Sequence, residues 1–370
     1  MSKIKLVIGP RSFFDKQINM PDLMALETYV TFFDQTNHNL IEAANEDKFR
    51  EKLLGKTLYG TSESFAAITQ SGIETLSESL RLAVKFAENI ILQNPPRVVA
   101  HQLRVSYPDQ TEILQNKSLK ISKDDIKEFY EKFPEHIYSQ RNALQTLFTV
   151  LTEYQHRSSH HVPLVMMFYG PSGVGKTEAA TLLGEKLSGT LSRQQLSMFQ
   201  NQAAADYLFG ADHSQRSFAR DLANRESNVI LLDEFDKVSS GFYNAFYQLF
   251  DEGVFEDRNY HVETENLIII CTANFANIEQ IRQTLGDAMF YRFAAFIEFT
   301  SLNPDAFNRI VHDVVTEIWG ELGQSEQSIF KTKSDLINLF KEDIPYFQNY
   351  RHAKKLMRQF VYERVALHSL

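Results

Sequence analysis

Few folds accommodate an apolar run that breaks into Gly170-Pro171-Ser172-Gly173-Val174-Gly175-Lys176-Thr177 and then resumes with helical spacing. The glycines let successive backbone N–H groups turn inward around an anion. The helix that follows presents its positive N-terminus to the same point. The run before it, Leu164 to Tyr169, has the continuous apolar character of a strand buried on both faces. Strand, loop and helix together meet the requirement of G-x-x-x-x-G-K-[ST], so nucleotide phosphates are the expected ligand. Lys176 is expected at the β- and γ-phosphates and the Thr177 hydroxyl at Mg²⁺, with ATP and Mg²⁺ as the implied cofactors.

A second apolar run, Val229 to Leu232, ends directly in Asp233-Glu234. A buried strand ending in two carboxylates delivers them to the carboxyl edge of a sheet, where ligands bind in open α/β folds. Asp233 is expected to hold Mg²⁺, directly or through water, and Glu234 to polarise the attacking water. A third run, Leu267 to Thr272, ends in Ala273-Asn274 and puts an amide at the same edge, suited to orienting that water.

Beyond these runs the pattern is ordinary for a globular chain. Of the 370 residues 43% are hydrophobic and 23% charged, enough to bury a core in two or three domains. A net charge of -9 argues against general adhesion to nucleic acid or anionic membrane. The single cysteine, Cys271, excludes an internal disulfide and a cysteine-based zinc site. The N-terminal residues carry no apolar signal region and no stretch approaches a membrane span, so a cytoplasmic protein is expected.

Apolar runs at 164–169, 229–233, 267–272 and 295–299 alternate with helical stretches, which reads as βαβ units on a parallel sheet. After Asn303-Pro304 only helical periodicity remains. In the first third, residues 4–8 and 97–105 read as short strands and 62–92 as helical up to Asn94-Pro95-Pro96. The expected organisation is an N-terminal α/β module over 1–115, a large α/β unit over 124–303 and a helical unit over 304–370. No internal repeat is visible in the sequence. His156, His160 and His161 read as a connecting loop rather than a metal site.

From about residue 124 onward, the order of motifs resembles the Clp-type AAA+ ATPases. Ile137-Tyr138-Ser139-Gln140-Arg141-Asn142-Ala143 is similar to the family's I-x-G-Q-x-x-A entry over the adenine. Asp206 to Ala211, Leu232 to Lys237 and Phe246 to Gly253 resemble its second-strand segment, its Walker B signature and the helix after it. Asn274 falls at the sensor-one position. Phe290-Tyr291-Arg292-Phe293 resembles L-x-N-R-[IF], whose arginine completes a neighbouring subunit's site. Asn349 to Leu356 is similar to the sensor-two segment, with Arg351 reaching the γ-phosphate.

The resemblance implies an AAA+ P-loop fold with a helical lid, ATP hydrolysis, a homo-oligomeric ring or spiral of hexameric type, and action on a protein partner chosen by residues 1–115. One departure stands out. Threading members carry an aromatic pore loop, G-Y-V-G, shortly after the Gly-Ala matched by Gly210-Ala211, whereas this chain continues Asp212-His213-Ser214-Gln215-Arg216-Ser217. Tyr207, Phe209 and Phe218 nearby read as core. The expectation is therefore a remodelling ATPase without processive threading, or alternatively a nucleotide-gated switch or scaffold of the kind found in anti-phage or mobile-element systems. Nucleic acid and membrane are not expected partners.

Overall fold

The computed structural model describes residues 2–37, 42–116, 120–198 and 202–368. Two parallel five-stranded sheets and a helical bundle organise the chain. The first sheet comprises β1 (Lys3–Ile8), β2 (Leu23–Ala25), β3 (Thr57–Gly60), β4 (Asn89–Gln93) and β5 (Thr111–Gln115), in the order β5-β1-β4-β3-β2. The second comprises β6 (Leu164–Tyr169), β7 (Ser192–Gln195), β8 (Val229–Asp233), β11 (Ile268–Thr272) and β12 (Ala295–Glu298). Its order is β12-β6-β11-β8-β7, and a small antiparallel pair, β9 (Val254–Glu256) and β10 (His261–Glu263), stands apart from it.

The apolar runs form the central strands because both faces of the second sheet are covered. Every residue of β6, β8 and β11 is buried. Odd-numbered side chains of β6, such as Val165 and Met167, join a core with Phe218, Phe235 and Phe246. Even-numbered ones, such as Met166 and Phe168, join Phe129, Leu147 and Leu183 on the opposite face. Each such side chain contributes roughly 1.5–3 kcal/mol on burial. Cys271 is a buried thiol in this sheet, its pKa pushed well up by burial.

Two expectations for the first third need correction. Residues 97–106 form a helix, Arg97–Ser106, not a strand. Pro95-Pro96 leads into it, and Val99 and Leu103, four apart, supply its buried face. Conversely, the helical pattern expected through 92 breaks up into four short helices between Ser62 and Phe86 and then becomes β4. Ile90, Ile91 and Leu92 are wholly buried in the middle of the sheet, where a short apolar run carries no strand periodicity.

The helices Pro304–Glu321, Lys333–Glu342 and Tyr350–His368 pack on one another through Ile310, Val314, Phe340, Met357 and Val361. The first is opened by Asn303, whose side chain accepts from the Ala306 N–H, with Pro304 at the first helical position. Among the described residues no helix is long and apolar enough to cross a membrane.

The two sheets meet through polar contacts. Asn224 Oδ1 accepts from Ser62 Oγ at 3.0 Å and from Asn94 Nδ2 at 2.9 Å. Ser12 donates its amide and hydroxyl to Glu226 at 3.0 and 2.5 Å. Arg97 pairs with Glu256, and its N–H reaches the Asn259 carbonyl at 2.8 Å. His213, 2% exposed, has its ring nitrogens 2.8 Å from Gln70 Oε1 and 2.8 Å from the Ile68 carbonyl.

Candidate functional site

The loop after β6 begins at Gly170, whose φ of +127° belongs to the region that favours glycine, and a Cβ there would lie 1.9 Å from the Phe299 carbonyl oxygen. Only glycine fits between the loop and the end of β12. Gly175, at φ +108°, precedes the helix Lys176–Ser188, so the loop delivers its amides to a helix N-terminus. Ser172, Gly173, Val174, Gly175, Lys176 and Thr177 line a cavity of about 490 Å³, whereas Gly170 and Pro171 do not line it.

Lys176 is 8% exposed, and its Nζ donates to the carbonyls of Gly170 at 2.7 Å and Pro171 at 2.6 Å and to Asn274 Oδ1 at 3.1 Å. Burial lowers its pKa to about 8, against the opposing pull of Asp236 and Asp233. The ammonium is thus held by neutral oxygens and aimed into a space large enough for a nucleotide.

Asp233 ends β8 at 5% exposure. Its Oδ1 accepts from Thr272 Oγ1 and lies 3.5 Å from Thr177 Oγ1, while Arg193 Nη2 stands 2.5 Å from Oδ2. Thr272 also receives the Glu234 N–H at 3.0 Å, so one hydroxyl fixes both adjacent acids. Glu234 has a left-handed backbone, φ 60° and ψ 44°, a conformation that costs a non-glycine residue free energy and recurs at functional sites. Gln195 Nε2 reaches its Oε2 at 3.4 Å. A hydroxyl and a carboxylate converging on the cavity are the oxygen donors a hard divalent cation takes, so Thr177 and Asp233 fit Mg²⁺.

Asn274 and Arg351 line the same cavity, as do His136, the last residue of the helix Lys123–His136, and Ile137 and Tyr138 from the loop between it and the helix Arg141–Gln155. Ser139, where the resembling motif has glycine, takes a φ of 58°. Gln140 exchanges hydrogen bonds with the Thr300 backbone at 2.8 and 3.0 Å, tying this loop to the end of the sheet. The C-terminal helical region touches the phosphate loop itself. The Tyr350 N–H points at the Gly173 carbonyl at 3.3 Å, and Asn349 lies 2.9 Å from where a Gly173 Cβ would stand.

Arg292 does not line this cavity. It sits at the end of the helix Ile278–Phe290, paired with Asp251 at 2.7 Å and stacked 4.2 Å over the Tyr247 ring. Arg193, Gln195, Thr272 and Tyr350 were not singled out from the sequence. The available signal was weak: Arg193 and Gln195 alternate on the short polar strand β7, which no apolar pattern announces. Tyr207 and Phe218 are buried as expected, but Phe209 is 45% exposed.

Comparison with known proteins agrees with this geometry. Residues 163–315 match the AAA domain (Cdc48 subfamily). The chain is 30% identical over 167 residues to the chaperone protein ClpB of Yersinia enterocolitica, covering 41% of this chain and 19% of that one. It is 26% identical over 239 residues to the mitochondrial chaperone protein ClpB3 of Oryza sativa subsp. japonica, covering 55% and 24%. A ClpL ATP-binding subunit of Clp protease from Staphylococcus aureus is 28% identical over 174 residues, covering 41% and 25%. The chain therefore spans about a quarter or less of the length of these relatives. In fold, it is similar to a closed-state reconstruction of Hsp104 with ATPγS and FITC casein, at a TM-score of 0.53 and 14% identity, over 96% of this chain and 62% of that one. The phosphate loop and the acidic strand end thus lie within the residues that match an AAA domain, and the relatives in sequence are Clp-type proteins similar over 41–55% of this chain.

Proposed function

We propose that this chain hydrolyses ATP between subunits of a homo-oligomeric ring or spiral and uses the energy to remodel a protein partner without threading it. The observation that carries this reading is the convergence of Lys176, Thr177, Asp233, Glu234, Asn274 and Arg351 on one cavity, with Arg292 outside it. Lys176 and the loop amides bind the phosphates. Glu234 accepts a proton from the attacking water, and Asn274, already hydrogen-bonded to Lys176, orients that water. Arg351 touches the γ-phosphate from the lid. Thr177 and Asp233 would hold Mg²⁺, which would supply neutralisation of charge on the phosphate oxygens. Arg292, anchored at its own subunit's surface, enters the neighbouring site and stabilises the transferring phosphoryl group.

The partner is a protein engaged by residues 1–115 outside the surface that meets the ATPase core, and the compartment is the cytoplasm. Against threading stands the segment after Gly210-Ala211. It carries no aromatic tetrapeptide, and His213 fastens it to Gln70 and Ile68 of the first sheet's module. The same observation favours a second reading, in which ATP binding drives assembly and hydrolysis resets a switch.

The test is the mass of Glu234→Gln in solution with and without ATP, by light scattering. A closed assembly that forms only with ATP supports intersubunit catalysis. A monomer or dimer indifferent to ATP sinks it. Turnover stimulated by a protein partner separates the machine from the switch, which stays slow.

A further inference from the structure

Each sheet, read in its own chain order, has the arrangement fifth-first-fourth-third-second, and every pairing in both is parallel. Parallel crossovers are right-handed in nearly all sheets, so a shared strand order means a shared path of the chain. The antiparallel pair β9–β10 is an addition between the third and fourth strands of the second copy only.

The correspondence continues at the strand ends. β1 runs into Gly9-Pro10 as β6 runs into Gly170-Pro171, and the two glycines have φ of +148° and +127°. β4 is followed by Asn94, and β11, its counterpart, by Ala273-Asn274. The asparagines also face the same element. Asn274 Oδ1 accepts from the lysine of the phosphate loop, whereas Asn94 Oδ1 accepts from the Gly9 N–H at 2.9 Å and Asn94 Nδ2 donates to the Gly9 carbonyl at 2.8 Å.

What differs is the chemistry. Pro10 alone separates Gly9 from a helix starting at Arg11, where residues 171–175 separate Gly170 from the helix at Lys176. No loop remains to surround a phosphate, and no lysine or threonine stands at its end. β3 ends in Gly60 followed by Thr61, where β8 ends in Asp233 followed by Glu234.

We infer that residues 2–115 are a second copy of the ATPase core that binds no nucleotide and whose former nucleotide edge is a docking surface for the turn leading into β8. That edge is already engaged. Asn224 Oδ1 accepts from Ser62, Asn94 and Gln93, and Asn94 Nδ2 also lies 3.3 Å from the Ala223 carbonyl. Glu226 accepts both donors of Ser12, at the start of the helix that replaced the loop. Asn224 and Glu226 lie just before Val229, the first residue of the strand that ends on Asp233. A silent core thus grips the amino end of the strand whose carboxyl end holds the catalytic acids of the other.

Two measurements on the full chain test this. Equilibrium dialysis with a non-hydrolysable ATP analogue is expected to count one nucleotide per chain, and none in Lys176→Ala. A second nucleotide, or saturable binding that survives Lys176→Ala, overturns the silent core. The other measurement rests on the turnover proposed above, which the dialysis does not. Asn224→Ala is expected to leave the analogue's affinity within about twofold while kcat changes by roughly 2- to 30-fold, the range of coupling through packed elements. Ser12→Ala, at an exposed position, is expected to move kcat in the same direction by less. Unchanged kcat in either soluble variant overturns the coupling.

Discussion

Arg193 Nη2 lies 2.5 Å from Asp233 Oδ2, so the carboxylate suited to a divalent cation has a protein cation beside it. Arg193 is half exposed, which limits the pair to less than about 1 kcal/mol of stability. Its consequence for metal binding is larger, because Mg²⁺ must compete with it. Arg193→Ala is expected to lower the melting temperature of the nucleotide-free protein slightly and to reduce the Mg²⁺ concentration that half-saturates ATP binding. An unchanged or higher Mg²⁺ requirement would show that Arg193 does not compete.

Lys176 gives a pH dependence with a definite sign. In the free protein burial holds its pKa near 8, and phosphates bound beside it raise that value, so binding takes up a proton above pH 8. The affinity for a non-hydrolysable ATP analogue is expected to be flat below about pH 8 and to fall as pH rises through it. Lys176→Ala removes the break along with the affinity. A wild-type profile without a break near 8 contradicts the assignment.

Glu234→Gln keeps the shape of the side chain and removes the base. Nucleotide affinity is expected to stay within about threefold while turnover falls by roughly 100- to 10,000-fold, the usual contribution of a positioned base. A loss of less than about tenfold in kcat, measured by phosphate release, would move the role elsewhere.

Arg292 stands apart from the cavity of its own chain, which predicts complementation. Arg292→Ala and Lys176→Ala are each expected to be inactive alone. Mixed, they restore part of the turnover, because an intact nucleotide site then meets an intact arginine. Mixtures that stay inactive although they co-assemble exclude action across the interface.

Arg225 offers a stability test away from catalysis. Burial lowers its pKa to about 10, its Nε has no partner, and Nη1 donates to the Leu222 carbonyl at 2.7 Å. A desolvated cation with no carboxylate paired to it among the described residues is costly, so Arg225→Met is expected to be neutral or to stabilise the protein by up to about 2 kcal/mol in urea unfolding. Destabilisation beyond about 1 kcal/mol would mean that the guanidinium has a compensating role.

The fold class was legible where an apolar run was long enough and ended in a motif. Leu164 to Tyr169 before the glycines, and Val229 to Leu232 before Asp233-Glu234, are such places, and both are buried throughout. The lid helices were legible for a related reason: Val314 and Ile318 or Met357 and Val361 recur at helical spacing. β4 was not, since Ile90-Ile91-Leu92 is too short to distinguish strand from helix without its neighbours. Nor was β7, whose Ser-Arg-Gln-Gln sequence forms an edge strand only because β8 offers a partner, and it is that pairing that brings Arg193 and Gln195 to the acids. The recurrence of strand order was invisible for the same cause. Pairing is set by contacts distant in sequence, and the first copy lacks the residues that make the second one conspicuous.

The tether between the Tyr350 amide and the Gly173 carbonyl, with Asn349 filling the space beside that glycine, joins the helical lid to the backbone of the phosphate loop. Rotation of the lid therefore strains the loop directly, with or without a nucleotide between them. The C-terminal helices and the phosphate loop are thus mechanically linked, so a displacement of one alters the width of the cradle formed by the other.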